Sequence, residues 1–263
     1  MAAQNTTLIL LILAVMAPRA ALAADADDDS RRALPCRPTI ACTADIVPPG
    51  VFEFEAGVIY RRIDGHGRQW AFPLLLKETV TDDLQLQLGT NGYSILKGDV
   101  PAQYLDDVTF GPKLRFFRQT EYLPALAVSA DASIPTFRRR GYLRTYDALF
   151  TAYASKDVGI VHADLNVGLN LWRVEHAPRP QEFAALALSM PVTGPLGVMA
   201  EGYVFSNAAP IAYRDGGLLV ALSETPKPWL MLDEGADAGL FPTQRSYSVF
   251  AGLTMIPAAL GDH

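Results

Sequence analysis

The sequence predicts an all-β protein, specifically an antiparallel up-and-down transmembrane β-barrel of about twelve strands. Three observations lead to this fold class. One stretch alternates strictly between aliphatic and polar residues, shorter copies of the same pattern recur along the chain, and the connections between them alternate in length. Alternation with a period of two places the two sets of side chains on opposite faces of a strand.

The clearest strand covers residues 161–171. Every odd-numbered position is aliphatic, from Val161 to Leu171, and every even-numbered position is polar or Gly. At roughly 3.3 Å per residue this stretch extends for about 35 Å. Tilted by roughly 40°, it would cover about 27 Å, close to the roughly 25 Å apolar band of a transmembrane barrel.

Shorter apolar rows recur between residues 52 and 255. They are found near residues 52–60, 70–76, 84–88, 108–116, 126–134, 146–154, 183–190, 196–204, 216–222 and 247–255. Pro112 interrupts the fourth row, because proline lacks the N–H that a paired strand donates. Within residues 229–235, Asp233 and Glu234 are adjacent, so one of them must face the apolar side or lie at its rim. A soluble sandwich also alternates, with apolar rows facing a common core, so an exported ligand-binding β-sandwich remains an alternative.

The lengths of the connections favour the barrel. Those near residues 62–69, 90–105, 136–145, 173–181, 206–213 and 236–246 look longer than those at 80–83, 118–123, 155–157, 191–195 and 224–228. Outer-membrane barrels have short periplasmic turns and longer extracellular loops. Because backbone groups in lipid must all be paired, the sheet is expected to close on itself.

The N-terminal segment has the pattern of an export signal. Residues 8–17 are an apolar run too short for a spanning helix, and Ala21, Leu22 and Ala23 form an A-x-A cleavage site. We therefore expect a cleaved signal peptide at 1–23, a periplasmic N-terminal leader at 24–47, an outer-membrane barrel at 48–257 and a C-terminal tail at 258–263. The expected location is the outer membrane of a Gram-negative cell.

Composition excludes some functions. With 22 basic and 28 acidic residues, the net charge of −6 argues against a nucleic-acid partner. The two cysteines, Cys36 and Cys42, suit a short disulfide-closed loop in an oxidising compartment, and a pair of free thiols is the alternative. No further Cys or His lies nearby, so we expect neither a metal site nor a cofactor.

Four motifs resemble one known family, in order along residues 44–255. Residues 48–57 are similar to its "PPG-x-x-x-x-E-x-G" strand start, residues 81–89 to "T-D-x-L-x-L-x-L-G", residues 107–116 to "D-x-x-x-G-x-K-x-R-F", and residues 215–218 to "D-G-G-L". The family is the outer-membrane transporter family of the phenol-degradation MetA pathway. The resemblance implies an outer-membrane, channel-like, porin-like protein.

Polar residues on the inward rows are the candidate site. The predicted pore-lining set is Glu53, Glu55, Arg61, Gln85, Gln87, Lys113, Arg115, Asp131, His162, Asp164, Asn166 and Glu201. These groups either line a water-filled pore or pair with one another and close the lumen. The corresponding functions are a passive channel for small apolar or aromatic molecules and a closed structural or surface-binding barrel.

One strand and one loop also carry candidate catalytic and lipid-binding groups. A histidine, an acid and an amide share one face at His162, Asp164 and Asn166, which could serve a hydrolase, but no serine lies on that face of the strand, and we expect no enzyme. The loop residues Arg138, Arg139 and Arg140 could bind lipopolysaccharide phosphates. Expected partners are therefore outer-membrane lipid and a small solute, with the oligomeric state left open.

Overall fold

The computed structural model describes residues 31–63, 67–98, 101–135, 147–174, 177–206, 216–240 and 246–257. These residues form fifteen strands: β1 (Phe52–Ile63), β2 (Gly67–Ala71), β3 (Leu74–Thr81), β4 (Leu84–Thr90), β5 (Tyr93–Lys97), β6 (Ala102–Leu105), β7 (Val108–Phe117), β8 (Ala125–Ile134), β9 (Asp147–Val158), β10 (Val161–Val174), β11 (Ala177–Thr193), β12 (Leu196–Phe205), β13 (Gly216–Lys227), β14 (Leu230–Gly239) and β15 (Ser246–Met255).

The sheet closes on itself as an antiparallel barrel. β1 pairs with β15 from Phe54 opposite Met255 to Ile63 opposite Ser246. Around the barrel the order is β1, β3, β4 and then β7 to β15, which gives twelve strands and confirms the expected fold class. The alternative of an exported ligand-binding β-sandwich is wrong, because the β1–β15 pairing closes these twelve strands into one barrel.

Three short strands extend the wall at one end. β2 continues the pairing of β1 beyond the break at Phe72 and Pro73, and β5 and β6 are added beside it. β5 and β6 lie within the expected loop near residues 90–105, so that loop is partly a small sheet. Among the described residues, no helix has the length and apolar character needed to span a membrane.

The two ends of the barrel differ. One end carries residue 51, residue 256 and the connections at 82–83, 118–124, 159–160, 194–195 and 228–229, and we call it the turn end. Gly159 and Gly194 have φ of 63° and 53° there, a left-handed conformation that glycine adopts without steric cost. The opposite end, the loop end, carries the remaining connections.

Two connections expected to be long are short. β1 continues to Ile63 and β2 starts at Gly67, while β10 continues to Val174 and β11 starts at Ala177. The short β10–β11 connection was not predicted because Pro178 and Pro180 are typical of loops. In the structure both prolines are paired positions of the β10–β11 hairpin.

Side chains alternate as predicted along 161–171. Leu165 is 44% exposed on the outer face, whereas its neighbour Asn166 is 1% exposed inside the barrel. Asp233 faces the lumen and Glu234 faces outward, in the middle of β14, which resolves the ambiguity at these two positions. Pro112 is tolerated because the ladder between β7 and β8 has no registered pair at Gly111 and Pro112 and resumes at Lys113.

Candidate functional site

Residues 33–47 lie inside the barrel, and we call them the plug segment. Their backbone is bound by inward-facing side chains from opposite sides of the wall, including Glu55 on β1, Lys113 on β7, Asn166 on β10 and Glu201 on β12. A segment that touches all of these strands at once must occupy the lumen. Its Ala41, Ala44 and Val47 are accordingly at most 1% exposed.

The plug segment enters and leaves at the turn end. Ala33 N–H donates to the Pro228 carbonyl in the β13–β14 turn, and Gly50 N–H donates to Thr79 near the end of β3. Between these points the chain runs from the turn end into the lumen and then returns to the turn end, and we call the returning part the descending limb. The described part of the leader, expected as a separate periplasmic segment at 24–47, is therefore part of the barrel interior. The expected signal peptide at 1–23 and tail at 258–263 lie outside the described residues.

The polar character of the wall follows from the irregular backbone of the plug segment. Backbone N–H groups without a helix or sheet partner must be satisfied by other acceptors when buried. Seven N–H groups of the plug segment donate to wall side chains: Leu34 to Glu53, Cys36 and Arg37 to Glu55, Ile40 and Ala41 to Glu201, Cys42 to Asn166, and Ala44 to Ser155. Their donor–acceptor distances lie between 2.6 and 3.0 Å.

Two acids and a lysine form the first anchor. Lys77 on β3 forms ion pairs with Glu53 and with Glu55, the latter at 2.6 Å, and it donates to the Leu34 carbonyl at 2.7 Å. Glu53 and Lys77 are directly opposite each other in the β1–β3 ladder. All three side chains are at most 2% exposed, so each charge depends on the others for compensation.

Two basic residues on β7 form the second anchor. Lys113 donates to the carbonyls of Thr43 at 2.5 Å and Asp45 at 3.2 Å, and it lies over the Tyr153 ring. Arg115 forms an ion pair with Asp45 at 3.2 Å. The descending limb of the plug segment is thus bound by cations through its carbonyls and its one acid.

Arg37 carries the third anchor. Its guanidinium donates to both carboxylate oxygens of Asp233 on β14, at 3.1 and 3.2 Å, and to the Ala251 carbonyl. Gly57 and Gly252 are opposite each other on β1 and β15, and a Cβ on either would lie 2.3 Å from the guanidinium. Glycine at both positions therefore leaves the space that this side chain occupies.

The two cysteines lie on either side of the tip of the plug segment. Their sulfur atoms are bonded, with an S–S distance of 2.23 Å. The bond closes a loop of which Ile40 and Ala41 bind Glu201, and Cys42 binds Asn166. The tip is therefore constrained both covalently and through the wall.

The remaining predicted site residues face the lumen without binding the plug segment in any hydrogen bond described below. Gln85 is 2% exposed and donates to Thr79, and Gln87 donates to Gln85. Asp131 accepts from Ser129. Arg61 lies on the inward row of β1 towards the loop end, opposite Gln69 and Ser248.

His162 and Asp164 belong to a polar cluster at the turn end. The imidazole contacts Asp164 through Nε2 at 3.1 Å and Asp157 through Nδ1 at 2.7 Å. Ser155, from the neighbouring strand, donates to Asp164 at 2.5 Å and accepts from Ala44 N–H. The serine is thus bonded to the acid and the plug segment rather than to the imidazole. No group of three or more potential metal ligands occurs among the residues that the structure describes.

An apolar patch lies on the inner wall between the plug segment and the loop end, beside the inward polar residues Arg61, Asp237 and Ser248. Leu219, Ala221 and Phe250 form a buried inward-facing cluster with Ile59 and Met199. Phe183, Tyr203 and Phe205 stack in contact on the neighbouring strands β11 and β12, with ring centroids 5.8 and 5.9 Å apart. Asn170, Trp172 and Gln181 add hydrogen-bonding groups on the same wall.

Sequence reasoning identified the inward charges but not their partners. Arg37, Asp45, Ser155 and Asp233 were outside the predicted set, although each binds or belongs to the plug segment. Residues 33–47 have no regular spacing of apolar residues, so the sequence indicated neither a strand nor a helix there.

Comparisons with known proteins support the fold. A structure described as the COG4313 outer membrane channel from Pseudomonas putida F1 matches with a TM-score of 0.60 and 14% identity, covering 81% of this chain and 97% of that chain. The NanC porin matches with a TM-score of 0.54 and 8% identity, covering 77% and 98%. No family model and no curated protein matches the chain. At such identities the likeness shows an outer-membrane type of barrel.

The expectation that the chain is not an enzyme needs correction. Outer membrane phospholipase A from Escherichia coli also matches, with a TM-score of 0.44 and 11% identity, covering 76% of this chain and 92% of that chain. Barrels that resemble this one therefore include an enzyme, so the exclusion drawn from the sequence does not hold. This distant match assigns no activity to the chain.

Proposed function

We propose that this chain is an outer-membrane channel for small apolar or aromatic molecules, exported with residues 1–23 removed and inserted with its turn end in the periplasm. The observation that carries the proposal is the inner wall of the loop-end half. There Leu219, Phe250 and Ile59 lie inside the barrel, next to the stacked rings of Tyr203 and Phe205. Apolar and aromatic side chains are the usual lining of sites that take small organic molecules.

The inward charges have a different role in this proposal from the one suggested by the sequence. They bind the plug segment and one another, so they do not form a water-filled, ion-selective lining. Glu53, Glu55, Lys77, Lys113 and Glu201 are all at most 2% exposed. We therefore expect a low ion conductance together with measurable passage of an uncharged aromatic solute.

An uptake measurement tests the proposal. Cells of a Gram-negative host producing the full-length chain are mixed with 1-N-phenylnaphthylamine, an apolar dye that fluoresces once it passes the lipopolysaccharide leaflet. We expect the initial uptake rate to rise several-fold over cells carrying an empty vector. As a matched variant, Phe250→Asp places a charge in the apolar cluster and is expected to lower the rate. Equal rates in all three strains would refute the channel proposal.

The second candidate is a closed structural barrel. It is favoured by one specific observation, the satisfaction of seven N–H groups of the plug segment by the wall. Absence of both ion conductance and dye uptake would support it. Lipopolysaccharide binding by Arg138, Arg139 and Arg140 concerns residues outside the described ones and suits either candidate, and their substitution by Gln is expected to weaken lipopolysaccharide co-purification.

A further inference from the structure

A cavity of about 570 Å³ lies beside the plug segment. Its walls are formed by the plug residues Arg37 and Thr39 on one side and by inward-facing residues of β10 to β14 on the other, among them Ala187, Met199, Ser223 and Met231. Gly159, Ile160, Gly194 and Pro195 also line it, and these belong to turns at the turn end. The cavity therefore reaches from the turn end up to the tip of the plug segment.

The plug segment is attached unevenly to the barrel. On the side of β1, β3 and β7 it is bound by five buried charged side chains: Glu53, Glu55, Lys77, Lys113 and Arg115. On the side of β12 to β14, Tyr203 shares a buried cluster with Ala41 of the plug segment, and the charged contacts are those of Glu201 at the tip and of Asp233. The cavity occupies the space between these last two contacts and the turn end.

One residue, Met199, is shared by the cavity and the apolar cluster further along the lumen. Met199 lines the cavity and also packs against the cluster of Leu219, Ala221 and Phe250. Met231 lines the cavity further along the neighbouring wall. Methionine is unbranched and flexible, so it can adapt its shape to different apolar molecules.

We propose that solute passes between the plug segment and the β12–β14 wall, while the plug segment stays bound to the β1, β3 and β7 wall. This inference rests on the proposed function, since it places the route of the same channel. Met199 and Met231 form the apolar part of the passage, and Arg37, Asp157 and Asp164 are charged groups along its edge. The alternative is a plug segment that must leave the lumen before solute can pass.

Locking the plug segment in place separates the two mechanisms. The hydroxyls of Thr43 in the descending limb and Ser155 on β9 are 3.4 Å apart, and Thr43 lies at the edge of the cavity. The double variant Thr43→Cys with Ser155→Cys is oxidised in the full-length protein, and peptide mapping verifies a bond between the two introduced thiols. We expect the locked protein to keep dye uptake within about twofold of wild type. Loss of uptake on locking would show that the plug segment has to move, and it would overturn the inference.

Blocking the cavity provides the complementary measurement. Ser223→Cys and Ala187→Cys are treated after folding with benzyl methanethiosulfonate, a neutral bulky reagent. We expect both thiols to be labelled and uptake to fall at least threefold relative to the same unlabelled variant. Two controls are treated alike: the wild type, whose two cysteines are bonded to each other, and Ser129→Cys on the opposite wall.

The possible outcomes distinguish failure of the proposed solute route from failure of the proposed channel function. Labelling at both cavity positions without a fall in uptake would reject the route and leave the channel proposal intact. Failure of either thiol to react would show that the cavity is closed to the turn end, which also rejects the route. Absence of uptake by the wild-type protein would reject the proposed function and the route together.

Discussion

The side chain of Asn166 pairs with the backbone of Cys42 as one strand pairs with another. The Cys42 N–H donates to Oδ1 at 2.6 Å, and Nδ2 donates to the Cys42 carbonyl at 2.9 Å, so both polar groups of one plug residue are satisfied by one wall residue. Asn166 lies 124 positions away in the sequence, in the middle of the alternating stretch. A polar side chain that faces inward from a regular strand thus provides the hydrogen-bond partners of a residue in the irregular plug segment.

Replacing Asn166 should loosen the tip of the plug segment. Asn166→Ala leaves a buried donor and a buried acceptor without partners, which costs roughly 1–3 kcal/mol. We expect more frequent open events in planar bilayers than for wild type. Asn170→Ala is the matched control, because Asn170 lies on the same face of β10 but binds Gln181 instead of the plug segment. Equal opening frequencies for the two variants would contradict this role of Asn166.

Neutralising the acids of the first anchor should destabilise the protein. The double variant Glu53→Gln with Glu55→Gln leaves the Lys77 ammonium, which is 2% exposed, without a counter-charge. Removing the partners of a buried charge costs about 3–5 kcal/mol, which urea unfolding from lipid vesicles would measure.

Adding Lys77→Met to that double variant tests whether the unpaired Lys77 ammonium causes the loss of stability. The triple variant has no buried charge at this position, so we expect it to recover most of the lost free energy of unfolding. If the triple variant is no more stable than the double variant, the loss does not arise from the unpaired ammonium.

Removing the outward carboxyl of Glu234 should stabilise the barrel. Glu234 faces outward as the fifth of ten residues in β14, beside Leu222 and Ala251. A basic residue at the midplane costs roughly 2–4 kcal/mol and an acid less, so Glu234→Leu should raise the free energy of unfolding by an amount below that range. Glu224→Leu, close to the turn end, should have a smaller effect. A loss of stability in Glu234→Leu would indicate that this carboxyl has a partner on the outer face.

Opening the disulfide should increase backbone motion at the tip. Cys36→Ser with Cys42→Ser keeps the size of both side chains and removes the covalent closure, which stabilises a loop of this kind by about 2 kcal/mol. We expect faster hydrogen exchange of the amides of Ile40 and Ala41, both bound to Glu201. Amides in the centre of β12 serve as the internal reference, and unchanged exchange at the tip would mean that the wall alone fixes it.

The sequence by itself determined most strands of the barrel wall and the faces of their side chains. The alternation at 161–171 correctly placed Leu165 outside and Asn166 inside, and the repetition of that pattern gave the closed twelve-stranded barrel. Side-chain alternation is a local property of the strand, so a single sequence is enough to read it. The inward position of Glu53, Glu55, Lys113 and Glu201 was accessible for the same reason.

Only the tertiary structure decided what these inward groups do. The contacts between Arg37 and Asp233, and between Ala41 and Glu201, join residues 196 and 160 positions apart. The plug segment has no period of its own, because its N–H groups are satisfied by the wall rather than by neighbouring residues in the chain. Which wall side chain meets which N–H depends on the closure of the whole barrel, and no local pattern in the sequence records it.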